Sequence, residues 1–199
     1  KEVSKNHNRF LFEMATGTGK TLVAGAIIKL YLRTKNTNRV LFLVDRLELE
    51  TQANTNLNDY LNPDYSSVIF KENRDDWKKA DIVVTTIQSI SYENKYLKLF
   101  SPTDFDLIIS DEAHRSISGN SRVIFEYFIG AKLGLTATPR DYLKNLDEKE
   151  LADTDPRDYE RRVLLSTYKT FGCESGIPTY RYTLEDGIKD GYLIRPLAI

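Results

Sequence analysis

The sequence predicts an α/β domain: a mostly parallel sheet covered by helices on both faces. Three observations predict it. The run "RVLFLV" is apolar almost throughout, as a strand buried on both faces is, and "DIVVTT" and "DLIIS" read as further strands with apolar centres. Segments of helical spacing alternate with them, the order that right-handed parallel crossovers produce. A glycine-bearing loop, "MATGTGKT" at Met14–Thr21, joins the first strand to the first helix. The 199 residues suit one such domain, or one domain and a linker.

Taken in order, Arg9–Met14 predicts a short strand that enters the glycine loop directly. Thr21–Arg33 predicts a helix, with Leu22, Val23, Ala26, Ile27 and Leu30 at helical spacing and mostly buried. Gly25 inside it costs about 1 kcal/mol relative to alanine, and close packing against the sheet is the expected reason. Arg39–Val44 predicts the second strand. Arg46 to about Asn58 predicts a helix, and Pro63 breaks any continuation beyond it. "SSVIF" predicts a short strand and "KENRDDWKKA" a solvated turn or short helix. Asp81–Thr86, Asp106–Ser110 and Ala131–Thr138 predict three more strands.

Between Asp141 and Arg162 charges crowd and apolar residues thin out. A surface insertion or helical hairpin is expected there, with Pro156 starting its second helix. "TYRYT" then alternates as a strand does, and a short helix comes next, capped by Thr183 or by the acids after it. The expected organisation is a core at 1–140, a charged helical insertion at 141–178 and a closing segment and linker at 179–199.

Composition narrows the function classes. An apolar fraction of 41% and a charged fraction of 29% are ordinary for a globular protein. No run of about 18 apolar residues predicts a membrane span, and the polar start "KEVSKNHNR" does not read as a secretory signal. Cys173 is the only cysteine, so no intrachain disulfide is possible and no zinc cluster can be built around it. That suits a cytoplasmic location. The net charge of −1, from 28 basic and 29 acidic residues, shows no broad basic footprint. A few local contacts and helix amino-termini can still hold phosphates. The first residue is Lys1 and the last segment is "RPLAI", and a piece of a longer polypeptide is expected.

The chemistry starts at the loop. Gly17 and Gly19 let backbone N–H groups turn inward around phosphate oxygens. Lys20 would neutralise the β- and γ-phosphates, and Thr21 would offer its hydroxyl to Mg²⁺. Thr16, Gly17, Thr18, Gly19, Lys20 and Thr21 together form the candidate phosphate cradle. Met14 stands where the usual G-x-x-x-x-G-K-[ST] pattern has its first glycine, at the strand end and furthest from the phosphates. "LIISDEAH" then ends an apolar strand in two adjacent carboxylates. Asp111 would hold Mg²⁺ through water, and Glu112 would orient and deprotonate the attacking water. His114, two residues on, is placed to sense the nucleotide and to touch a neighbouring strand end such as "LTAT". His7 is expected on the surface.

The motifs "MATGTGKT", "FLVDR", "TTIQS", "DEAH" and "GLTATP" occur in the order found in superfamily-two helicases and translocases. They span about Glu13 to Pro139. More finely, "VLFLVDR", "FDLIISDEAHRS" and the tail "YRYTLEDGIKDGYLIRP" make the chain similar to the restriction (motor) subunit of type I restriction–modification enzymes. Type III restriction subunits and excision-repair helicases share parts of the pattern.

The resemblance implies the first RecA-like lobe of an ATP-dependent motor of the P-loop NTPase class. It implies ATP and Mg²⁺ as cofactors, and double-stranded DNA with modification and specificity subunits as partners. Thr136 and Thr138 match the motif that couples hydrolysis to movement. Asp45 and Arg46, and Thr85, Thr86 and Gln88, match motifs that touch the nucleic-acid backbone. For Arg46 a surface ion pair is an equal reading. The resemblance also implies a second lobe carrying arginine fingers, an upstream nuclease domain and a glutamine-bearing segment that reads adenine, none of which has a match here. A stand-alone helicase or repair protein is the alternative within the class. A weak nucleotide- or DNA-binding module is the alternative outside it.

Overall fold

The computed structural model describes residues 7–70, 75–116, 120–141 and 164–195, with 155 and 157 besides. Seven strands form one sheet: β1 (Arg9–Met14), β2 (Val40–Val44), β3 (Ser67–Ile69), β4 (Ile82–Thr86), β5 (Leu107–Asp111), β6 (Ala131–Thr136) and β7 (Tyr180–Tyr182). Their order is β3-β4-β2-β5-β6-β1-β7, and every neighbouring pair is parallel. The helices are α1 (Lys20–Arg33), α2 (Leu47–Leu61), α3 (Ile87–Ser91), α4 (Lys95–Leu99), α5 (Ala113–Ser116), α6 (Asn120–Tyr127), α7 (Thr167–Thr170) and α8 (Leu184–Lys189).

Both faces of the sheet are covered, which is why β2 inside it reads as an unbroken apolar run. Val40, Phe42 and Val44 of β2 pack with Ala24, Ile28 and Leu32 of α1 and Ala53, Leu57 and Leu61 of α2. Leu41 and Leu43 face the other way, into a second core with Ile87, Ile90, Phe125, Phe128 and Phe171. Alternate residues of one strand thus feed two cores.

Three expectations are corrected. The buried face of α1 is Ala24, Gly25, Ile28 and Leu32, whereas Leu22 and Leu30 are 53% and 57% exposed. The small residues Ala24 and Gly25 let the helix lie close, which turns the long leucines outward. Gly25 packs against α2, not the sheet: a Cβ there would sit 3.1 Å from Tyr60 Cδ2. In the charged stretch before β4, Trp77 is buried in a 3-10 turn, Asp76–Lys78, and packs against Phe70 and Phe100.

Most of the expected charged insertion, including Pro156, lies outside the described residues. Its last part does not stand apart: Tyr168, Phe171 and Cys173 are buried in the core. At the end of the chain, Thr183 caps α8 in a reciprocal capping box with Asp186, as its position before the acids suggests.

Candidate nucleotide site

Sheet order positions the chemistry. β6 lies between β1 and β5, with Glu13 of β1 opposite Thr136, and Leu135 opposite Asp111. The glycine loop after β1 and the acids of β5 therefore stand two strands apart, about 10 Å. Thr136 lies between them.

Local backbone shapes the loop. Gly17 and Gly19 have φ of +81° and +84°, a region that side chains with a Cβ enter at a cost. The loop is braced by Thr18, whose hydroxyl donates to the Ala15 carbonyl at 2.6 Å. Gly19 then caps α1, which presents its positive end to the loop.

Lys20 Nζ lies 3.8 Å from Glu112 Oε1, so the loop and the acids already face one another. Glu112 itself has φ of +54°. A non-glycine residue held there stores strain on the order of 1 kcal/mol, and such strain gathers at working sites. Burial raises the Asp111 pKa above the ordinary carboxylate value, and the neighbouring Glu112 charge adds to this, while Lys20 and the Glu112 N–H oppose it. A carboxyl so placed gains from a cation.

Among the described residues, no group of three or more His, Cys, Asp or Glu could cage a metal. Mg²⁺ needs no such cage, since it takes one or two carboxylates, retained waters and substrate phosphates. Asp111 and Thr21 fit that donor set.

His114 joins the acids to the middle strand. Its Nδ1 is 3.5 Å from Glu112 Oε2 and 2.9 Å from Thr136 Oγ1. The Thr138 N–H donates to the same Thr136 oxygen at 3.1 Å. Burial lowers the His114 pKa, Arg140 and Arg115 lower it further, and the Glu112 charge opposes them. The balance favours the neutral imidazole. From Arg140 the connection continues to α7, through paired hydrogen bonds between Arg140 and Thr167.

The residues matched to nucleic-acid contact lie at the same end of the sheet, after β2 and β4. Arg46 and Gln88 are exposed. Thr85 and Thr86 are buried. The Thr86 hydroxyl accepts from Ser89 N as the cap of α3, and its own N–H donates to Glu50 Oε1 at 2.8 Å. Arg46 Nε lies 3.3 Å from Asp45 Oδ2, and Arg115 donates to that oxygen at 2.8 Å. Sequence reasoning misses Arg115. Its place directly after His114 is the available signal, and it ties the segment of the acids to the loop after β2. His7 is exposed, and burial raises the Cys173 thiol pKa.

The family model described as the res subunit of type III restriction enzymes matches residues 1–141. The chain belongs to this family. The endonuclease subunit of the type I restriction enzyme EcoAI from Escherichia coli is 37% identical over 96% of the chain. The chain spans 21% of that protein's length. A fragment described as an HsdR subunit of a type I restriction enzyme from Vibrio vulnificus has the same fold, with a TM-score of 0.60 and 31% identity. That match covers 96% of the chain and 29% of the other. The Hef helicase domain of Pyrococcus furiosus superposes with a TM-score of 0.62 at 23% identity, over 92% of this family member and 37% of that chain. The likeness to type I restriction subunits read from the motifs therefore holds across almost the whole chain, and the fold is the one expected of a RecA-like lobe. No helix among the described residues is long and apolar enough to cross a membrane.

Proposed function

We propose that the chain is the ATP-binding first motor lobe of an ATP-dependent DNA translocase, the restriction subunit of a type I system. One observation carries the reading: Lys20, Glu112, His114 and Thr136 converge from three neighbouring strand ends into one connected cluster.

The cradle at Thr16–Thr21 binds the phosphates through backbone N–H groups and the Lys20 charge. Mg²⁺, held by Thr21 and Asp111, would supply charge neutralisation on the β- and γ-phosphates. Glu112 orients the attacking water and takes its proton. His114 reads the state of Glu112 and passes it to Thr136 and Thr138, which link through Arg140 to α7. Arg46 and Gln88 touch the phosphate backbone of double-stranded DNA, and Thr86 holds the start of α3 on which Gln88 sits. Such contacts position a duplex without reading its sequence. The modification and specificity subunits are the partners, and the cytoplasm is the setting.

Colourimetric phosphate release, with and without duplex DNA, tests the reading on the full parent protein. DNA-stimulated turnover that disappears in Lys20→Ala is the expected result. Turnover unchanged by that substitution contradicts it. The 199-residue chain alone is expected to bind nucleotide and turn it over slowly, because in motors of this class a second lobe supplies arginine fingers that are worth about 10³–10⁵ in rate.

A further inference from the structure

A cavity of about 460 Å³ opens over β1 and β7, beside the glycine loop. β7 flanks β1 on the side opposite β6, so this cavity and the acids of β5 lie on opposite sides of the loop strand. Met14 and Leu22 line it from the loop side, and Tyr180, Tyr182, Asp190 and Tyr192 line it from the tail. It is continuous with Gly17–Gly19, which also line it. A nucleotide whose terminal phosphate lies between Lys20 and Glu112 would send its base toward this side.

The tail is built onto the loop. The Ala15 N–H donates to the Tyr182 carbonyl at 3.0 Å. A Cβ on Gly17 would stand 3.2 Å from Leu193 Cδ2, and one on Gly187 would meet Leu193 Cδ1 at 2.8 Å. Leu193 is thus seated between the loop and α8. The chain turns there by a Schellman arrangement: Gly191, at φ +79°, donates to the Ile188 carbonyl, and Tyr192 donates to the Gly187 carbonyl. These bonds fix the backbone of Tyr192 at the cavity while its side chain projects outward, 75% exposed. An aromatic ring on a fixed backbone beside a phosphate loop is a stacking platform that nothing in the phosphate chemistry uses.

The polar groups agree. The Tyr182 hydroxyl donates to Asp190 Oδ2 at 2.7 Å. This bond pushes the Tyr182 pKa up to about 12, so it stays a donating phenol at neutral pH. Asp190 Oδ1 remains as the acceptor offered to an N–H of a base. Tyr180 is steadied by Phe12, with ring centroids 5.3 Å apart.

We propose that the tail at 180–192 forms the nucleobase subsite of the nucleotide site, with Tyr192 as the ring that stacks on the base. The inference rests on the reading of Gly17–Thr21 as the phosphate cradle. It also gives Met14 a place: the position that breaks the usual loop pattern lines the base side of the site.

Titration calorimetry of the 199-residue chain with Mg·ATP and with Mg·tripolyphosphate, which lacks a base, separates the two claims. Tyr192→Ala should weaken ATP about 10-fold, as loss of one aromatic–base stack does, and leave tripolyphosphate binding unchanged. Tyr192→Phe should restore ATP binding. Equal ATP affinity in Tyr192→Ala, or an equal loss for both ligands, overturns the subsite while leaving the cradle standing. Failure of Lys20→Ala to weaken either ligand overturns the cradle, and the subsite with it.

Discussion

Glu112 and Asp111 are adjacent, yet their surroundings divide the work between them. Glu112 is partly exposed, faces Lys20 and His114, and sits in a strained left-handed conformation. Glu112→Gln should therefore keep Mg·ATP affinity in the full parent protein and lower hydrolysis by at least about 10², measured by phosphate release. An equal loss of binding would show that its role is different. Asp111 is more enclosed, and burial raises its pKa. Its folded state takes a proton more readily than its unfolded state, so the ionised form costs stability once pH rises through the folded pKa. Asp111→Asn should raise the melting midpoint of the nucleotide-free chain by ~2–4 °C at neutral pH while removing ATPase activity. His114 gives the opposite sign on the acid side. Its folded pKa is lowered, so the unfolded chain binds the proton first as pH falls through about 6.5. Stability is full above that value and is lost below it. Chemical denaturation between pH 7.5 and 5.5 should show a shallower loss in His114→Asn.

Among the elements, β6 is the one whose composition most directly serves the site. Gly134 lets α5 and Phe171, the residue after α7, approach the sheet closely: a Cβ there would lie 2.7 Å from Phe171 Cζ and 2.9 Å from the Ala113 Cβ. Gly134→Ala should destabilise the chain by about 1–3 kcal/mol in urea denaturation, the usual cost of overpacking a core. Gly25→Ala should be far milder. Its added methyl meets only the Tyr60 ring, whose residue is partly exposed and can shift, and alanine gains helix propensity. The same contrast explains what the sequence reveals. Strand β2 is legible because burial on both faces leaves no polar position in it, and β4 and β5 because each opens on three consecutive apolar residues before its first polar one, Thr85 or Ser110. The glycine loop and "DEAH" are legible because the phosphate and metal chemistry proposed for them restricts the residue types. Helices α3 to α6 are not, because runs of four to eight residues hold too few turns to show a period. Trp77 is hidden among charges because its burial comes from distant partners, Phe70 and Phe100. The orientation of α1 is off by a step in the sequence pattern, since Ala24, Gly25, Ile28 and Leu32, not Leu22 and Leu30, make its contact face.

On the scale of the whole molecule, the sheet order places the proposed nucleotide site and the residues proposed to contact nucleic acid at one end of the parallel strands. The loop after β1 and the acids after β5 flank Thr136, while the loops after β2 and β4 present Arg46 and Gln88 further along. Arg115, bonded to Asp45, joins the two regions. A phosphate-tracking surface predicts a sequence-independent, salt-sensitive affinity. Arg46→Ala should weaken binding to two unrelated duplexes alike and reduce the salt slope by about 1, read by fluorescence anisotropy. The central claim remains the nucleotide site at the meeting of β1, β6 and β5, and calorimetric titration of the chain with Mg·ATP tests it most directly. Wild type and Glu112→Gln should bind with similar affinity, and Lys20→Ala should bind at least about 10-fold more weakly. A Lys20→Ala chain that binds as tightly as wild type would contradict the account.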